Sequence, residues 1–238
     1  MQINRMLAGA NHYYQGVNIL TKVGEEAQNA GWKKAFVVGG RRAMDAAWEG
    51  VRAGLDKAGI EYETEIFTGF NTAGDIDRCS ARAASGGCSG FIGIGGGKVM
   101  DLAKAVAVQS GCGVFTVPTS AATCACYAPL SVIYDEQGTQ AGIRFFNNEV
   151  DAVFVDLRVI ANAPARLLAA GMADAMAKSC EYSSTHAQLH YGDIDTAKYC
   201  GYRLALAADE VLLGCGAQAY EDAKAHRISQ ALEDAVFS

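Results

Sequence analysis

Residues 93–101 read Gly-Ile-Gly-Gly-Gly-Lys-Val-Met-Asp, a glycine cluster with a lysine at its end. Gly-Phe-Ile precedes the cluster at 90–92, and Leu-Ala-Lys-Ala-Val-Ala follows it at 102–107. The first pattern predicts a buried strand and the second a helix. A glycine loop in that context presents backbone N–H groups to a phosphate, because no Cβ holds the anion away. Lys98 adds a positive charge, so we predict nucleotide binding.

Two other phosphate-binding loops fit the cluster poorly. A Walker A loop needs glycine, four residues and then Gly-Lys-Ser/Thr, but Ile92 and Val99 stand at the first and last of these positions. The hydroxyl that would hold Mg²⁺ is missing, which argues against an NTPase. The Gly-x-Gly-x-x-Gly fingerprint would need glycine at Lys98. A plain structural turn is the alternative, and the strand-to-helix context favours phosphate binding over it.

Composition excludes several function classes. Half of the 238 residues are hydrophobic and the net charge is −6, a balance that argues against a nucleic-acid partner. The sequence has neither an apolar run long enough to span a membrane nor a secretory leader. The eight cysteines are scattered through apolar and alanine-rich segments, as reduced cysteines are. We therefore expect a cytoplasmic protein that binds neither nucleic acid nor membranes.

Strand and helix patterns alternate up to about residue 160. Strands are predicted at 35–38, 62–67, 90–92 and 113–118, and helices at 17–30, 43–58, 75–85 and after the glycine loop. This alternation predicts a parallel sheet covered on both faces. Later patterns are helical, at 164–178, 196–215 and 221–237. We predict an α/β fold with a Rossmann-like dinucleotide-binding domain at 1–160 and an all-helical domain at 161–238.

Four motifs in order resemble one family. Gly-Gly-Gly-Lys-Val-Met-Asp-Leu-Ala-Lys at 95–104 is followed by Val-Pro-Thr-Ser-Ala-Ala-Thr at 117–123 and Pro-Leu-Ser-Val-Ile-Tyr at 129–134. The fourth motif, at 163–175, reads Ala-Pro-Ala-Arg-Leu-Leu-Ala-Ala-Gly-Met-Ala-Asp-Ala. Together they resemble the iron-containing alcohol dehydrogenase superfamily, in its glycerol dehydrogenase and hydroxycarboxylate dehydrogenase branch. The resemblance implies a metal- and NAD(P)-dependent oxidoreductase of small alcohols or 2-oxo acids, assembled as a homo-oligomer.

The resemblance also implies roles for individual residues. The glycine loop and its lysine would meet the cofactor pyrophosphate, with Asp101 in the first turn of the next helix. Thr116 and Thr119 would border the adenosine and the phosphates. Leu130 and Tyr134 would line the nicotinamide side. Asp174 would act in catalysis as the first ligand of a divalent metal, zinc or iron. The implied cofactor contacts are Gly95, Gly96, Gly97, Lys98, Asp101, Thr116, Thr119, Leu130 and Tyr134.

A first departure from the family pattern concerns the cofactor. NAD-preferring relatives carry an acidic residue at the end of the first predicted strand, where this chain has Gly40 followed by Arg41 and Arg42. The acidic residue would hold the ribose 2′-hydroxyl, whereas arginines attract a 2′-phosphate. We predict that NADP(H) is preferred and NAD(H) possible. In the alternative, both arginines are solvated surface residues.

Two further departures concern the substrate and the metal. Cys124, a candidate catalytic residue, stands where glycerol dehydrogenases carry the aspartate that binds the polyol. A thiol cannot replace that acceptor, which favours a 2-oxo acid over glycerol. The family takes two metal-binding histidines from beyond the position of Ser238, and the i, i+4 pair His186 and His190 lies in a predicted loop. We therefore expect the chain to lack the C-terminal part of the family.

The chemistry implied is hydride transfer between nicotinamide C4 and a carbonyl carbon. A nucleotide-binding protein without catalysis is the main alternative, because one carboxylate cannot hold a metal well. The sugar-phosphate cyclases, such as dehydroquinate synthase, share the glycine loop. They would need further basic phosphate-binding residues that the sequence does not place.

Overall fold

A computed structural model describes residues 10–147, 149–185, 190–192 and 194–238. These residues form two compact units. The first unit comprises the described residues up to Thr119 together with Cys124–Val159. The second comprises Ser120–Thr123 and Ile160–Ser238.

The first unit is built on a six-stranded sheet in the order β1-β8-β5-β4-β2-β3, and all of its pairings are parallel. The strands β6 and β7, which lie between β5 and β8 in the chain, form a separate antiparallel hairpin. The strands are β1 (Ala10–Gly16), β2 (Lys34–Gly39), β3 (Glu61–Ile66), β4 (Gly90–Gly95), β5 (Gly113–Pro118), β6 (Leu130–Tyr134), β7 (Gln140–Phe145) and β8 (Val150–Asp156). The helices between them are α1 (Lys22–Asn29), α2 (Arg41–Ala58), α3 (Ala73–Ser85) and α4 (Gly97–Ser110).

The core lies around the central strands. All of β4 is buried, between β2 on one side and β5 on the other. Helix α4 packs against β4, β5 and α3, and residues 99–107 are buried without interruption. Most of these buried residues are apolar, with Asp101 and Lys104 as the charged ones, so α4 shows no strong polar face. The α/β fold predicted from the sequence is confirmed.

The structure differs from the sequence prediction at the start of the chain. Strand β1 was not predicted, because it pairs only with β8 at the sheet edge and carries polar residues. The helix predicted over 17–30 begins only at Lys22. The N–H group of Ile19 donates to the Asp156 carboxylate over 3.0 Å, so the residues before Lys22 lie against the end of β8.

The second unit is helical and contains α6 (Ala165–Thr185), α7 (Thr196–Lys224) and α8 (Gln230–Phe237). A short helix, α5 (Leu157–Asn162), leads into it from β8. Leu168, Leu212 and Leu232 form the centre of its core. In the part of the chain that the structure describes, no helix has the length and apolar character to cross a membrane.

A buried carboxylate sets the turn between α7 and α8. Asp222 accepts hydrogen bonds from Gln218 Nε2 at 3.0 Å, Arg227 Nη2 at 2.5 Å and Ser229 Oγ at 2.5 Å. Ser229 Oγ also accepts from Leu232 N–H and so caps α8. The helices predicted at 196–215 and 221–237 therefore have different limits in the structure, since this turn interrupts the second one.

Helices α1 and α2 touch through their backbones. A Cβ on Gly24 would lie 1.8 Å from the carbonyl oxygen of Gly54, and a Cβ on Gly54 would lie 2.5 Å from the carbonyl oxygen of Thr21. The close approach requires glycine at both positions, because a side chain would push the helices apart.

We expect Gly24→Ala to lower the free energy of unfolding by about 1–3 kcal/mol, the usual effect of overpacking a core. Urea unfolding followed by tryptophan fluorescence measures it, since Trp32 and Trp48 both lie in the first unit. Gly74→Ala is the matched control, because its Cβ would make only an ordinary contact at 3.8 Å. Equal destabilisation by both changes would contradict the proposed close approach.

We expect Asp222→Asn to lower the Tm near neutral pH. Hydrogen bonds from Ser229 and Arg227 hold the pKa of Asp222 below its usual value. The carboxylate therefore stabilises the fold above the unfolded pKa of about 3.9 and loses that effect as the pH falls through its lower folded pKa. Thermal unfolding by circular dichroism should show a difference in Tm that shrinks in acid. Glu210→Gln, at an exposed position of α7, should leave the Tm unchanged at either pH.

Candidate functional site

The glycine loop joins β4 to α4 and has two kinds of glycine. A Cβ on Gly95 would lie 3.1 Å from the Val99 side chain, so packing disfavours any larger residue there. A Cβ on Gly96 would meet no atom of the described residues within 4 Å. Gly96 is the N-cap of α4, and among the described residues no side chain caps this helix end. The fold itself therefore does not require glycine at position 96, and the space above its backbone is open.

Three loops meet at the carboxyl edge of the sheet. In the parallel register Gly39 of β2 pairs with Ile94 of β4, and Gly95 of β4 pairs with Pro118 of β5. The ends of these strands therefore bring the segment after Gly39, the glycine loop and Thr119 side by side. Thr119 N–H donates to the Gly95 carbonyl over 3.0 Å. Ligands of open α/β sheets bind at this edge.

Lys98 lies on aromatic rings. Its ammonium is 3.9 Å from the centroid of the Phe70 ring and 5.7 Å from that of Tyr134. Gly138 in the turn of the β6-β7 hairpin has φ +81°, and a Cβ there would overlap the Phe70 ring at 2.3 Å. The Lys98 ammonium thus lies near both rings, and the Phe70 ring also contacts that of Tyr134. Lys98 and Tyr134 are both predicted site residues. Sequence analysis missed Phe70, because no local pattern marks an aromatic residue that meets a lysine from another element.

Asp101 is not in the glycine loop. It falls in the second turn of α4, is 5% exposed and faces β6, where its Oδ2 accepts from Val132 N–H at 3.2 Å. Its Oδ1 lies 3.1 Å from Lys104 Nζ. Burial raises the pKa of Asp101 and lowers that of Lys104, and their mutual attraction opposes both shifts. The carboxylate is therefore occupied inside the protein, and the implied contact between Asp101 and the cofactor stays a prediction.

Lys104 is 1% exposed and donates to three carbonyl oxygens. Its Nζ lies 2.6 Å from the oxygen of Ala125, 2.9 Å from that of Ala128 and 2.5 Å from that of Leu130. Ala125 and Ala128 belong to the irregular segment between β5 and β6, which includes a 3₁₀ turn at Cys124–Cys126, and Leu130 is the first residue of β6. One buried ammonium therefore holds the backbone of this segment against α4.

The two predicted threonines have different environments. Thr116 is 0% exposed, and its Oγ1 donates to the Cys126 carbonyl over 2.8 Å. Its side chain is thus enclosed, and the implied place of Thr116 beside the adenosine and the phosphates stays a prediction. Thr119 is only half-buried and lies beside the glycine loop.

The remaining predicted residues of this unit are accessible. Leu130 and Tyr134 stand at the two ends of β6 and are partly exposed. Cys124 is exposed at the start of the 3₁₀ turn. By contrast, burial raises the pKa of the Cys126 thiol to about 11, so that thiol is protonated at neutral pH.

Gly40 and the two arginines lie where β2 meets α2. Gly40 is the N-cap of α2, and a Cβ there would meet none of the described atoms within 4 Å. Arg41 and Arg42 are exposed in the first turn. Within the described ranges neither guanidinium makes an ion pair, so both charges are available to a ligand.

Asp174 belongs to the second unit, on α6. Its side chain is 49% exposed and its Oδ1 lies 3.3 Å from Lys178 Nζ. Over the residues whose structure is described, no three His, Cys, Asp or Glu side chains gather as a metal site. His226 Nδ1 lies 2.9 Å from the Ala161 carbonyl. His186 falls outside the described residues, so the prediction for the His186 and His190 pair is not tested.

Comparison with known proteins places this geometry in a family. The sequence model of iron-containing alcohol dehydrogenases matches residues 10–157. A glycerol dehydrogenase of Escherichia coli O6:H1 is 35% identical over 74% of this chain and 47% of its own length. Hydroxycarboxylate dehydrogenase A of Escherichia coli K12 is 29% identical over 98% of this chain and 63% of its own.

The fold comparison agrees with the sequence comparison. The crystal structure of a probable glycerol dehydrogenase from Sinorhizobium meliloti 1021 superposes with a TM-score of 0.84 and 29% identity. It covers 98% of this chain, and the chain covers 64% of it. The chain spans about half of the length of the curated relatives it matches. Since the family model matches more than half of its residues, this chain belongs to the iron-containing alcohol dehydrogenase family.

Proposed function

We propose that this chain binds a nicotinamide dinucleotide at the carboxyl edge of its parallel sheet. We further propose that it serves an oxidoreductase that interconverts small alcohols and their carbonyl compounds. The single observation that carries the proposal is the open space over Gly96. The fold would accept a Cβ there, so the glycine leaves room for a group that must approach the backbone, as a pyrophosphate does.

The pyrophosphate would lie at the N-terminus of α4, where Gly96, Gly97 and Lys98 supply backbone N–H groups and one ammonium. Thr119 would border the phosphates. Leu130 and Tyr134 would line the nicotinamide side, with Cys124 near the substrate. The bound cofactor supplies the hydride chemistry, and the protein supplies orientation and charge.

A preference for NADP(H) follows from the loop after β2. Arg41 and Arg42 are exposed at a helix N-terminus without an ion-pair partner among the described residues, and Gly40 leaves space beside them. A 2′-phosphate suits two guanidinium groups, whereas a 2′-hydroxyl has no carboxylate to bind there. NAD(H) would bind through the same loops with lower affinity.

The substrate class is proposed from Cys124 and from the relatives. The relatives are named glycerol dehydrogenase and hydroxycarboxylate dehydrogenase. Cys124 offers an exposed thiol in place of a carboxylate, so the pocket accepts an anionic 2-oxo acid more readily than a carboxylate would allow. Homo-oligomeric assembly, a cytoplasmic location and the lack of nucleic-acid or membrane partners stay predictions.

The described residues do not fit a zinc or iron site. The predicted ligand Asp174 lies on α6 and is paired with Lys178, which also pairs with Glu181. A catalytic metal needs about three protein ligands, and the described part of the chain gathers no such group. Asp174 as the first metal ligand stays a prediction, and no step of the chemistry is derived through it.

Titration with NADPH and with NADH, followed by fluorescence, tests the proposal directly. Turnover is then assayed with glycerol and with pyruvate, with Zn²⁺ or Fe²⁺ added. Binding and turnover together support the oxidoreductase. Binding without turnover supports a nucleotide-binding protein, and the lack of any binding overturns both.

We expect Gly96→Ala to raise the Kd of NADPH by about tenfold, or roughly 1.4 kcal/mol. The methyl group would occupy the space that the pyrophosphate needs, while the free energy of unfolding changes by less than about 1 kcal/mol. Gly142→Ala is the matched control, because its Cβ would also meet no described atom within 4 Å. Unchanged NADPH binding by the Gly96 variant would rule out a pyrophosphate at this loop.

We expect Gly40→Asp to shift cofactor preference toward NADH by at least about tenfold. The added carboxylate repels a 2′-phosphate and accepts a hydrogen bond from a 2′-hydroxyl. The ratio of the Kd values for NADPH and NADH measures the change. Gly40→Ala adds the Cβ without the charge and should leave that ratio as it is, so a similar shift by both variants would refute the electrostatic explanation.

A further inference from the structure

Helix α4 connects the two ends of the proposed cofactor site. Its N-terminus carries the glycine loop and Lys98. About two turns further on, Lys104 holds the carbonyl groups of Ala125, Ala128 and Leu130. The segment that bears these carbonyl groups also bears Cys124, and it leads into the strand that ends at Tyr134.

The contacts of Lys104 satisfy an ammonium in full. A lysine ammonium has three N–H donors, and three carbonyl oxygens lie within 2.9 Å of Nζ. Asp101 adds a counter-charge at 3.1 Å. A buried ammonium without such partners would be strongly destabilising, so the segment and the lysine depend on each other.

Asp101 extends the same attachment by two residues. Its own carbonyl oxygen accepts from Ser131 Oγ at 2.7 Å, and its carboxylate accepts from Val132 N–H at 3.2 Å. Residues 125–132 are thus attached to one turn of α4 from end to end. Besides these contacts, the hydrogen bond from Thr116 Oγ1 to the Cys126 carbonyl ties the segment to β5.

We propose that Lys104 is a positioning residue that sets the distance between the pyrophosphate loop and the nicotinamide end of the site. It does not touch the cofactor and acts through the backbone of residues 125–130. The proposal rests on the proposed function for the identity of the ligand. The mechanical part, that Lys104 holds this segment, does not depend on it.

Thiol labelling tests the mechanical part. Cys126 is only partly exposed and its thiol has a raised pKa, both of which slow alkylation, whereas Cys79 is buried on α3 outside the segment and reports on the whole unit. Alkylation rates of both thiols are measured by mass spectrometry of peptides in wild type and Lys104→Met. We expect Cys126 to react about tenfold faster in the variant while Cys79 keeps its wild-type rate.

Two results would overturn the mechanical part. An unchanged alkylation rate of Cys126 in Lys104→Met would mean that the segment keeps its structure without the ammonium. If the alkylation rates of Cys126 and Cys79 rose together, Lys104 would stabilise the core in general and not this segment in particular. Lys104→Gln, which keeps two N–H donors without the charge, should give a smaller rise at Cys126 alone. Lys57→Met, a change at an exposed lysine of α2, should alter neither rate.

Ligand binding tests the positioning part. We compare NADPH with 2′-phospho-ADP-ribose, which keeps the pyrophosphate and lacks the nicotinamide. Lys104→Met should raise the Kd of NADPH by about tenfold and that of 2′-phospho-ADP-ribose much less. Equal losses for the two ligands would overturn the positioning role. If wild type binds neither ligand, the proposed function fails, and the labelling result still decides the mechanical part.

Discussion

The buried pair of Lys104 and Asp101 is the constraint on which the proposed site depends. An ammonium and a carboxylate removed from water are stable only with good geometry and full hydrogen bonding. Here most of those partners are backbone groups of residues 125–132, and three of their carbonyl oxygens accept from the Lys104 ammonium. Helix α4 therefore shapes the segment, and the segment in turn keeps the charged pair from destabilising the core.

Much of the first unit could be predicted from its sequence. Parallel strands buried on both faces are continuous apolar runs, and Phe91 and Ile92 belong to such a run directly before the glycine loop. Other strands were not predicted, including the interior strand β8, whereas the edge strand β3 was. Strand β1 is polar and partly exposed and β7 is mostly exposed, so their residues carry no periodic signal strong enough to separate a strand from a loop.

The candidate site, too, could be predicted only in part from the sequence. The glycine loop and the end of β2 were predicted, because their function depends on local backbone and neighbouring residues. Lys104 could not be predicted, since a lone lysine among alanines is typical of a solvated helix face and its acceptors lie more than twenty residues further on. The turn at Asp222 was missed for a related reason. No glycine or proline marks it, and a side chain makes the bonds that end the helix.

The aromatic contact of Lys98 affects how an anion would bind. An ammonium over the face of a ring has already lost part of its water shell, and the ring replaces that water only weakly. Hydration is the main resistance that a phosphate must overcome when it approaches a lysine. Phe70 therefore takes the place of part of the water around the Lys98 ammonium, so a phosphate that bound there would have less water to displace.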